Sequence, residues 1–508
     1  MTDIPGGSTI IGPKGELLRY QVNQAAGYMT MWNSTNVIDA YWGTDPVSPN
    51  WGAWRPQGKV INATGPCPVT YSTPFGLNGY QWNVSIPDDL PGIVRTVLED
   101  RVIGVEITDT EVNSWGLSLK PGQEGQLLFD KTWQAPSEWA TGSLFVDWEA
   151  VSGEDNVFVL WARETREHYA FSTETGDYLW GPTPPEQYLN IYKVTLEKYG
   201  DSKIVYGKLF STAMSGILYC YDVTTGDLLW TYTADDPYNE INWGNNWPLI
   251  VVFFTDGKVY VGHEVHSPID PMPRGAPFVC LNATTGELIW GISGAFRQNH
   301  WGGRAIIGDS IIATMDTYDM RIYGIGMGPS ATTVTASPEV SVLGSSVLVK
   351  GTVTDVSPGT KDAGLMMRFP NGVPAVSDAN MSDWMKYVYM QFERPADVMG
   401  VEVVVSVLDP NNNLYEVGRV TSDASGAYSL AFTPEVPGKY TVITSFAGSG
   451  AYYGSFAETA LNVEEAPATT PVPTPTPAPM TDTYILGIGS AILIVVIIGF
   501  ALLLLRRR

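Results

Sequence analysis

Three times the chain writes nearly the same eleven residues: Ala170-Phe-Ser-Thr-Glu-Thr-Gly-Asp-Tyr-Leu-Trp180, Cys220-Tyr-Asp-Val-Thr-Thr-Gly-Asp-Leu-Leu-Trp230 and Cys280-Leu-Asn-Ala-Thr-Thr-Gly-Glu-Leu-Ile-Trp290. In every copy the small residue stands six positions before the glycine, and the glycine four before the tryptophan. An internal repeat of this kind calls for an array of like units, each burying its apolar face against the next.

Each copy reads as a β-hairpin. A short apolar strand such as Ile217-Leu-Tyr-Cys-Tyr221 comes first. Ser172, Asp222 or Asn282 can then accept hydrogen bonds from backbone just ahead and start the turn. Gly176, Gly226 and Gly286 are free to take the positive φ that a tight hairpin loop demands. A second strand ends on Trp180, Trp230 or Trp290, expected to be equivalent packing residues, each able to bury ~150–250 Å².

These residues resemble the pyrroloquinoline-quinone (PQQ) repeat family, whose blade signature has this spacing and ends in Trp. The resemblance covers roughly residues 165–328. It implies an all-β fold, a β-propeller, without implying a bound quinone, because many proteins similar to this family are propellers that hold none. Leu18-Arg-Tyr-Gln-Val22 with Gly27-Tyr-Met-Thr-Met-Trp32 is read as a degenerate copy, and Gly125-Gln-Leu-Leu-Phe-Asp-Lys-Thr-Trp133 as a remnant. Met320-Arg-Ile-Tyr-Gly-Ile325 is read as the first strand of a copy without its Thr-Gly-Trp half. At ~40–45 residues per blade, residues 1–328 would supply about seven to eight blades.

Composition changes after Gly324-Ile-Gly-Met-Gly-Pro329: sixteen of the 17 tryptophans precede residue 329, and only Trp384 follows. Alternating strands in Ser346-Val-Leu-Val-Lys-Gly-Thr-Val-Thr, Val401-Glu-Val-Val-Val-Ser-Val-Leu and Gly438-Lys-Tyr-Thr-Val-Ile443 predict a β-sandwich over 329–464. The pattern Gly-x-Tyr…Thr-Pro…Gly-x-Tyr-x-Val is similar to bacterial immunoglobulin-like domains. A helical insert is expected near 378–390, with Met381, Met385 and Tyr389 on one face. Residues 465–483 form a Pro/Thr-rich stalk, with six prolines between Ala466 and Pro479 giving about 40 Å at ~3.1 Å per residue. Tyr484–Leu505 carries no charge and is long enough to cross a ~30 Å hydrocarbon core. Arg506, Arg507 and Arg508 then place the C-terminus in the cytoplasm and the body outside the cell membrane. The start, Met1-Thr-Asp-Ile-Pro-Gly-Gly-Ser, lacks the basic start and apolar run of a signal peptide. The expectation is therefore that the chain is a fragment, or that its start is assigned too late, with upstream blades missing.

A net charge of −24 argues against nucleic-acid and anionic-lipid partners. Cys220 and Cys280 fill the position of Ala170 and are expected to be buried thiols, and Cys67 is an isolated loop cysteine. Asn-x-Ser/Thr sequons at Asn33, Asn62, Asn83, Asn282 and Asn380 are candidate glycosylation sites.

Two functions compete. One is non-catalytic recognition or scaffolding at the envelope, toward an envelope protein or a carbohydrate. The other, implied by the resemblance, is a membrane-anchored PQQ-dependent dehydrogenase holding PQQ and Ca²⁺ at the propeller centre. The chain has no adjacent Cys-Cys pair, no Cys-x-x-Cys-His for haem and no evident calcium set, so no cofactor, metal or catalytic residue is expected. His263-Glu-Val-His266 offers two imidazoles without a third ligand. Asn242-Trp-Gly-Asn-Asn-Trp247 and Gln298-Asn-His-Trp-Gly-Gly-Arg304 are aromatic- and amide-rich. They make Trp243, Trp247, His300, Trp301 and Arg304 a candidate recognition face, against loop packing as the alternative.

Overall fold

The computed structural model describes residues 2–3, 6–35, 61–62, 80–189, 203–212, 214–235, 246–265, 275–294, 296, 298–299, 303–317, 319–467 and 481–507. The fold is a β-propeller followed by a β-sandwich and one apolar C-terminal helix. Six propeller sheets are found among the described residues. Five are built on four antiparallel strands paired in chain order, the first being Ser8–Ile11, Leu17–Asn23, Tyr28–Asn33 and Tyr80–Ser85, and the fifth adds Gln298–Asn299 parallel to Lys258–Val265. The sixth has three: Ile306–Gly308, Ile311–Asp316 and Arg321–Ile325. The motif tryptophans stand 50 and 60 residues apart, so long connections join these sheets.

The three motif copies each form the turn between third and fourth strands. Gly176, Gly226 and Gly286 have φ of +74°, +76° and +75°. Their N–H groups donate to the carbonyls of Ser172, Asp222 and Asn282. The Ser172 Oγ, Asp222 Oδ1 and Asn282 Oδ1 atoms each accept from the N–H groups two and three residues on, as in the 2.8 Å bond from Thr224 N to Asp222. Small residue and tryptophan pair across the two strands, as in Cys220↔Trp230, and the next residue slips the register by one. This bulge recurs in the first two sheets at Met31↔Trp82 and Gly116↔Phe129.

Those two pairs correct the degenerate copies. Gly27 closes the turn between the second and third strands of its sheet, so Trp32 is not the motif tryptophan; by pairing, Trp82 is. In the second sheet Phe129, four residues after Gly125, takes the tryptophan place. Trp133 instead stacks on Tyr178 at 5.0 Å and meets Phe171 edge-on at 5.3 Å.

What joins one sheet to the next is an aromatic ring laid on a turn glycine. A Cβ on Gly176 would lie 2.6 Å from Phe129, one on Gly226 2.5 Å from Trp180, and one on Gly286 2.6 Å from Trp230. Trp180 Nε1 also donates to the Val223 carbonyl of the following sheet at 2.7 Å. Buried apolar clusters fill each of the five successive junctions. Cys220 and Cys280 lie in two of them as free, buried thiols, and burial pushes Cys220 up to about 12. Cys67 lies outside the described residues.

The two ends of the series differ: Gly125 of the second sheet is met by Val84 and Ser85 rather than by Trp82, and beyond Trp290 the sixth sheet brings no Thr-Gly turn. The Met381–Met390 helix lies along Leu288–Gly294 in its place. Ser382 Oγ donates to the Gly291 carbonyl, Tyr323 OH to that of Tyr389, and Met390 and Phe392 join the cluster of the fifth and sixth sheets. This helix belongs to the sandwich, whose two sheets close on Val347 and Val349 from one side and Val405, Val407, Tyr440, Val442 and Leu461 from the other. Its own buried residues are Trp384, Val388 and Met390, with Met381, Met385 and Tyr389 partly buried. A second helix, Ala363–Arg368, not foreseen in the sequence, is capped by the Asp362 carboxylate. The final helix, Thr481–Leu505, has 25 residues with a mean hydropathy of 3.0 over its apolar window and is long enough to cross a membrane. Residues 468–480 of the stalk lie outside the described residues.

The motif tryptophans are thus unequal. Trp180→Ala should cost about 3–5 kcal/mol, Trp230→Ala somewhat less because that ring is half-buried, and Trp290→Ala least, in urea unfolding. Gly226→Ala should cost on the order of 3 kcal/mol, combining positive-φ strain with displacement of the Trp180 ring.

Candidate functional site

A buried polar cluster sits between the third and fourth sheets. His168, on Glu167–Ser172, is fully buried, and its Nδ1 lies 2.6 Å from Glu149 Oε2 on Val146–Ser152. Its Nε2 lies 3.0 Å from Glu186 Oε1, in the connection to the fourth sheet. Ser211 Oγ, on Lys208–Ser211, donates to the same Glu186 oxygen. The Trp161 and Tyr221 rings pack on the imidazole at 4.6 and 5.0 Å.

Each ring nitrogen thus has a carboxyl oxygen within hydrogen-bond distance, so one imidazole bridges both acidic side chains. Burial, with the negative charge of Glu186 and Glu149 added, drives the Tyr221 phenol pKa far above its ordinary value and keeps it protonated. Through the bond from Ser211 to Glu186 the arrangement ties neighbouring sheets together as a buried polar clasp. Its members are 18 to 25 residues from their partners in sequence, so no local motif announced them.

The two aromatic- and amide-rich runs are placed differently from expectation. Trp247 is core: it is 7% exposed, sits among Leu249, Val251 and Val261, and meets His263 edge-on at 4.9 Å. Asn246 donates to the Ser215 carbonyl at 3.0 Å, and the Gln298 carbonyl oxygen accepts from Ala305 N at 2.8 Å. These two amides tie adjoining segments together. Arg304 is half-buried, and Trp243, His300 and Trp301 lie outside the described residues.

His263 is no open ligand either. Its Nδ1 faces the Pro248 carbonyl at 3.0 Å, and burial holds its pKa down to about 4. His266 lies outside the described residues. Among the described residues no three His, Cys, Asp or Glu side chains converge as metal ligands. Glu149 and Glu186 flank an imidazole rather than face one cavity, so they do not make the oxygen cage that Ca²⁺ requires.

Of the sequons, Asn83 is exposed on Tyr80–Ser85, and Asn282 uses its oxygen in the turn. Asn33 donates to Gln81, and Asn380 to the Asp397 carbonyl, which a glycan on Asn380 would disrupt. The side chain of Asn62 lies outside the described residues.

Exposed aliphatic side chains stand on the sixth sheet. Ile312, Tyr323 and Ile325 pack against the fifth sheet. Strand alternation sends Ile306, Ile311, Ala313, Met315, Ile322 and Gly324 to the other side. Ile306, Ile311 and Ile322 are 69%, 50% and 73% exposed.

Residues 115–293 match a PQQ-repeat family model. Its description is outer membrane protein assembly factor BamB, and the match takes in about a third of the chain. It spans the second to fifth sheets, including the clasp and all three motif copies. No curated protein matches the sequence. Among solved structures, BamB from Moraxella catarrhalis is similar at 12% identity, covering 68% of this chain and 94% of its own, with a TM-score of 0.26. A europium-containing methanol dehydrogenase is similar at 10% identity, covering 70% and 76%, with a TM-score of 0.28.

The clasp and the buried imidazole make separate predictions. His168→Leu leaves both carboxylates without the imidazole and should cost about 3–5 kcal/mol in urea unfolding. For His263 the folded pKa lies below the unfolded ~6.5, so its contribution is full above that value and lost as pH falls toward 4. Wild type should lose about 2 kcal/mol more than His263→Gln between pH 7 and pH 5, measured by denaturation at both pH values.

Proposed function

We propose that the chain is a membrane-anchored, non-catalytic recognition and scaffolding protein of the cell envelope, with propeller and sandwich outside and the terminal arginines in the cytoplasm. The observation that carries this reading is the joint between domains. The Met381–Met390 helix lies beside Leu288–Gly294, which it holds through Ser382, and its Tyr389 carbonyl accepts from Tyr323 of the sixth sheet. Propeller and sandwich then move as one body ahead of a helix long enough to span a bilayer. A stiff platform held near a membrane suits the positioning of other proteins.

Two further features support the reading. The description of the matching family names outer-membrane protein assembly, which makes an envelope protein the favoured class of partner. The sandwich carries an immunoglobulin-type device: Tyr440 OH donates to the Val436 carbonyl at 2.9 Å and accepts from Val436 N at 3.0 Å, fixing the strand entry as a tyrosine corner does.

Dye-linked oxidation of methanol and glucose by the purified full chain, supplied with PQQ and Ca²⁺, tests the reading. Rates equal to those of a heat-denatured control are expected. Turnover tenfold or more above that control would replace the scaffold with a quinone-dependent oxidoreductase.

A further inference from the structure

Four of the five Asn-x-Ser/Thr sequons have a described asparagine side chain, and three of those amides are already in use. Asn33 donates to Gln81 at 2.9 Å and accepts from Thr35 N at 2.9 Å. Asn380 donates to the Asp397 carbonyl at 3.0 Å and accepts from Met399 N at 2.9 Å, tying down the segment ahead of the Met381–Met390 helix. Asn282 stands where Ser172 and Asp222 stand, and neither of those has an amide nitrogen. That position calls for the turn oxygen, which accepts from Thr284 N of its own sequon at 2.8 Å. Asn83 is different. It is exposed, and among the described residues its side chain makes no hydrogen bond.

We propose that Asn83 carries an N-linked oligosaccharide. Along Tyr80–Ser85, strand alternation sends Trp82 and Val84 to the junction with the second sheet. Asn83 and Ser85, the two residues that define the sequon, stand on the other side, and both are exposed. The repeat shows that this exposure belongs to the outer strand itself. By pairing register Trp82 corresponds to Phe129 and Trp230, so Asn83 corresponds to Asp130 and Thr231, and Ser85 to Thr132 and Thr233. All four of those residues are exposed, although the second and fourth sheets each pack on a sheet before them. The rim beyond the motif aromatic therefore meets solvent on that side whether or not another sheet packs there.

The modification takes a lipid-linked oligosaccharide phosphate as glycosyl donor. Asn83 Nδ2 bonds to the anomeric carbon, and the bond from that carbon to the phosphate oxygen breaks. The lipid phosphate leaves with the electron pair, and the amide gives up one proton. Nothing is oxidised or reduced. A glycan on this side of the strand touches no member of the junction cluster and leaves its packing as it is. The proposal rests on the outward placement in the proposed function, because such donors are used on the non-cytoplasmic side of a membrane.

Glycopeptide mass spectrometry on the full chain, recovered from the membranes of the cells that make it, tests the proposal. A sugar mass is expected on Asn83 and not on Asn33, Asn282 or Asn380. Asn83→Gln and Ser85→Ala should each abolish it while keeping the wild-type melting temperature, the second by destroying the sequon with the asparagine left in place. Protease added to intact cells reads the placement separately. A propeller protected until lysis would overturn the outward placement and the glycan with it. A propeller digested on intact cells but unmodified at Asn83 would overturn the glycan alone. Modification that survives Ser85→Ala, or that is equal at Asn380, would overturn the assignment of the site.

Discussion

The propeller depends on one contact, an aromatic ring seated on the turn glycine of the next sheet. A glycine at positive φ does two things there. It lets the chain reverse between third and fourth strands, and it leaves bare backbone on which a neighbouring ring can lie. Phe129, Trp180 and Trp230 use this seat in succession, so the third, fourth and fifth sheets are each positioned by the one before. The bulge beside the aromatic belongs to the same device. By adding one residue to the outer strand it re-aims the ring, and it recurs even where the motif letters have drifted.

Where the series stops, the molecule changes architecture. Trp290 finds no turn glycine, and a helix from the sandwich supplies the cover that a strand supplies elsewhere. Among the described residues, the absence of a fourth strand in the sixth sheet goes with the joint between propeller and sandwich. The polar clasp does the opposite work inside the array: it holds the third and fourth sheets through buried hydrogen-bonding groups, which tolerate little misalignment because a buried polar group without its partner is costly.

The resemblance read from three motif copies extends to a family match over 115–293, yet function does not follow from it, since sites are grafted on folds. Residues that looked like a recognition surface illustrate the difficulty. Aromatic and amide side chains are as useful for tying loops together as for binding a ligand, and Trp247, Asn246 and Gln298 do the former. Composition alone cannot separate the two uses.

The sequence by itself determined what is local or periodic. The turn polar residues, positive-φ glycines, buried thiols at 220 and 280, the helix near 378–390 and the apolar C-terminal helix all follow from spacing, backbone freedom or unbroken hydropathy within a short window. Tertiary structure alone decided what joins distant segments. Phe129 and Trp82 stand in for motif tryptophans because the pairing register, not the letter, defines the place. Glu149, His168, Glu186 and Ser211 meet only when two sheets stack, and the Met381–Met390 helix reaches Leu288–Gly294 across roughly a hundred residues of chain. Long-range contacts of this sort leave no pattern in any one stretch of sequence, because each partner alone is an ordinary strand or loop residue.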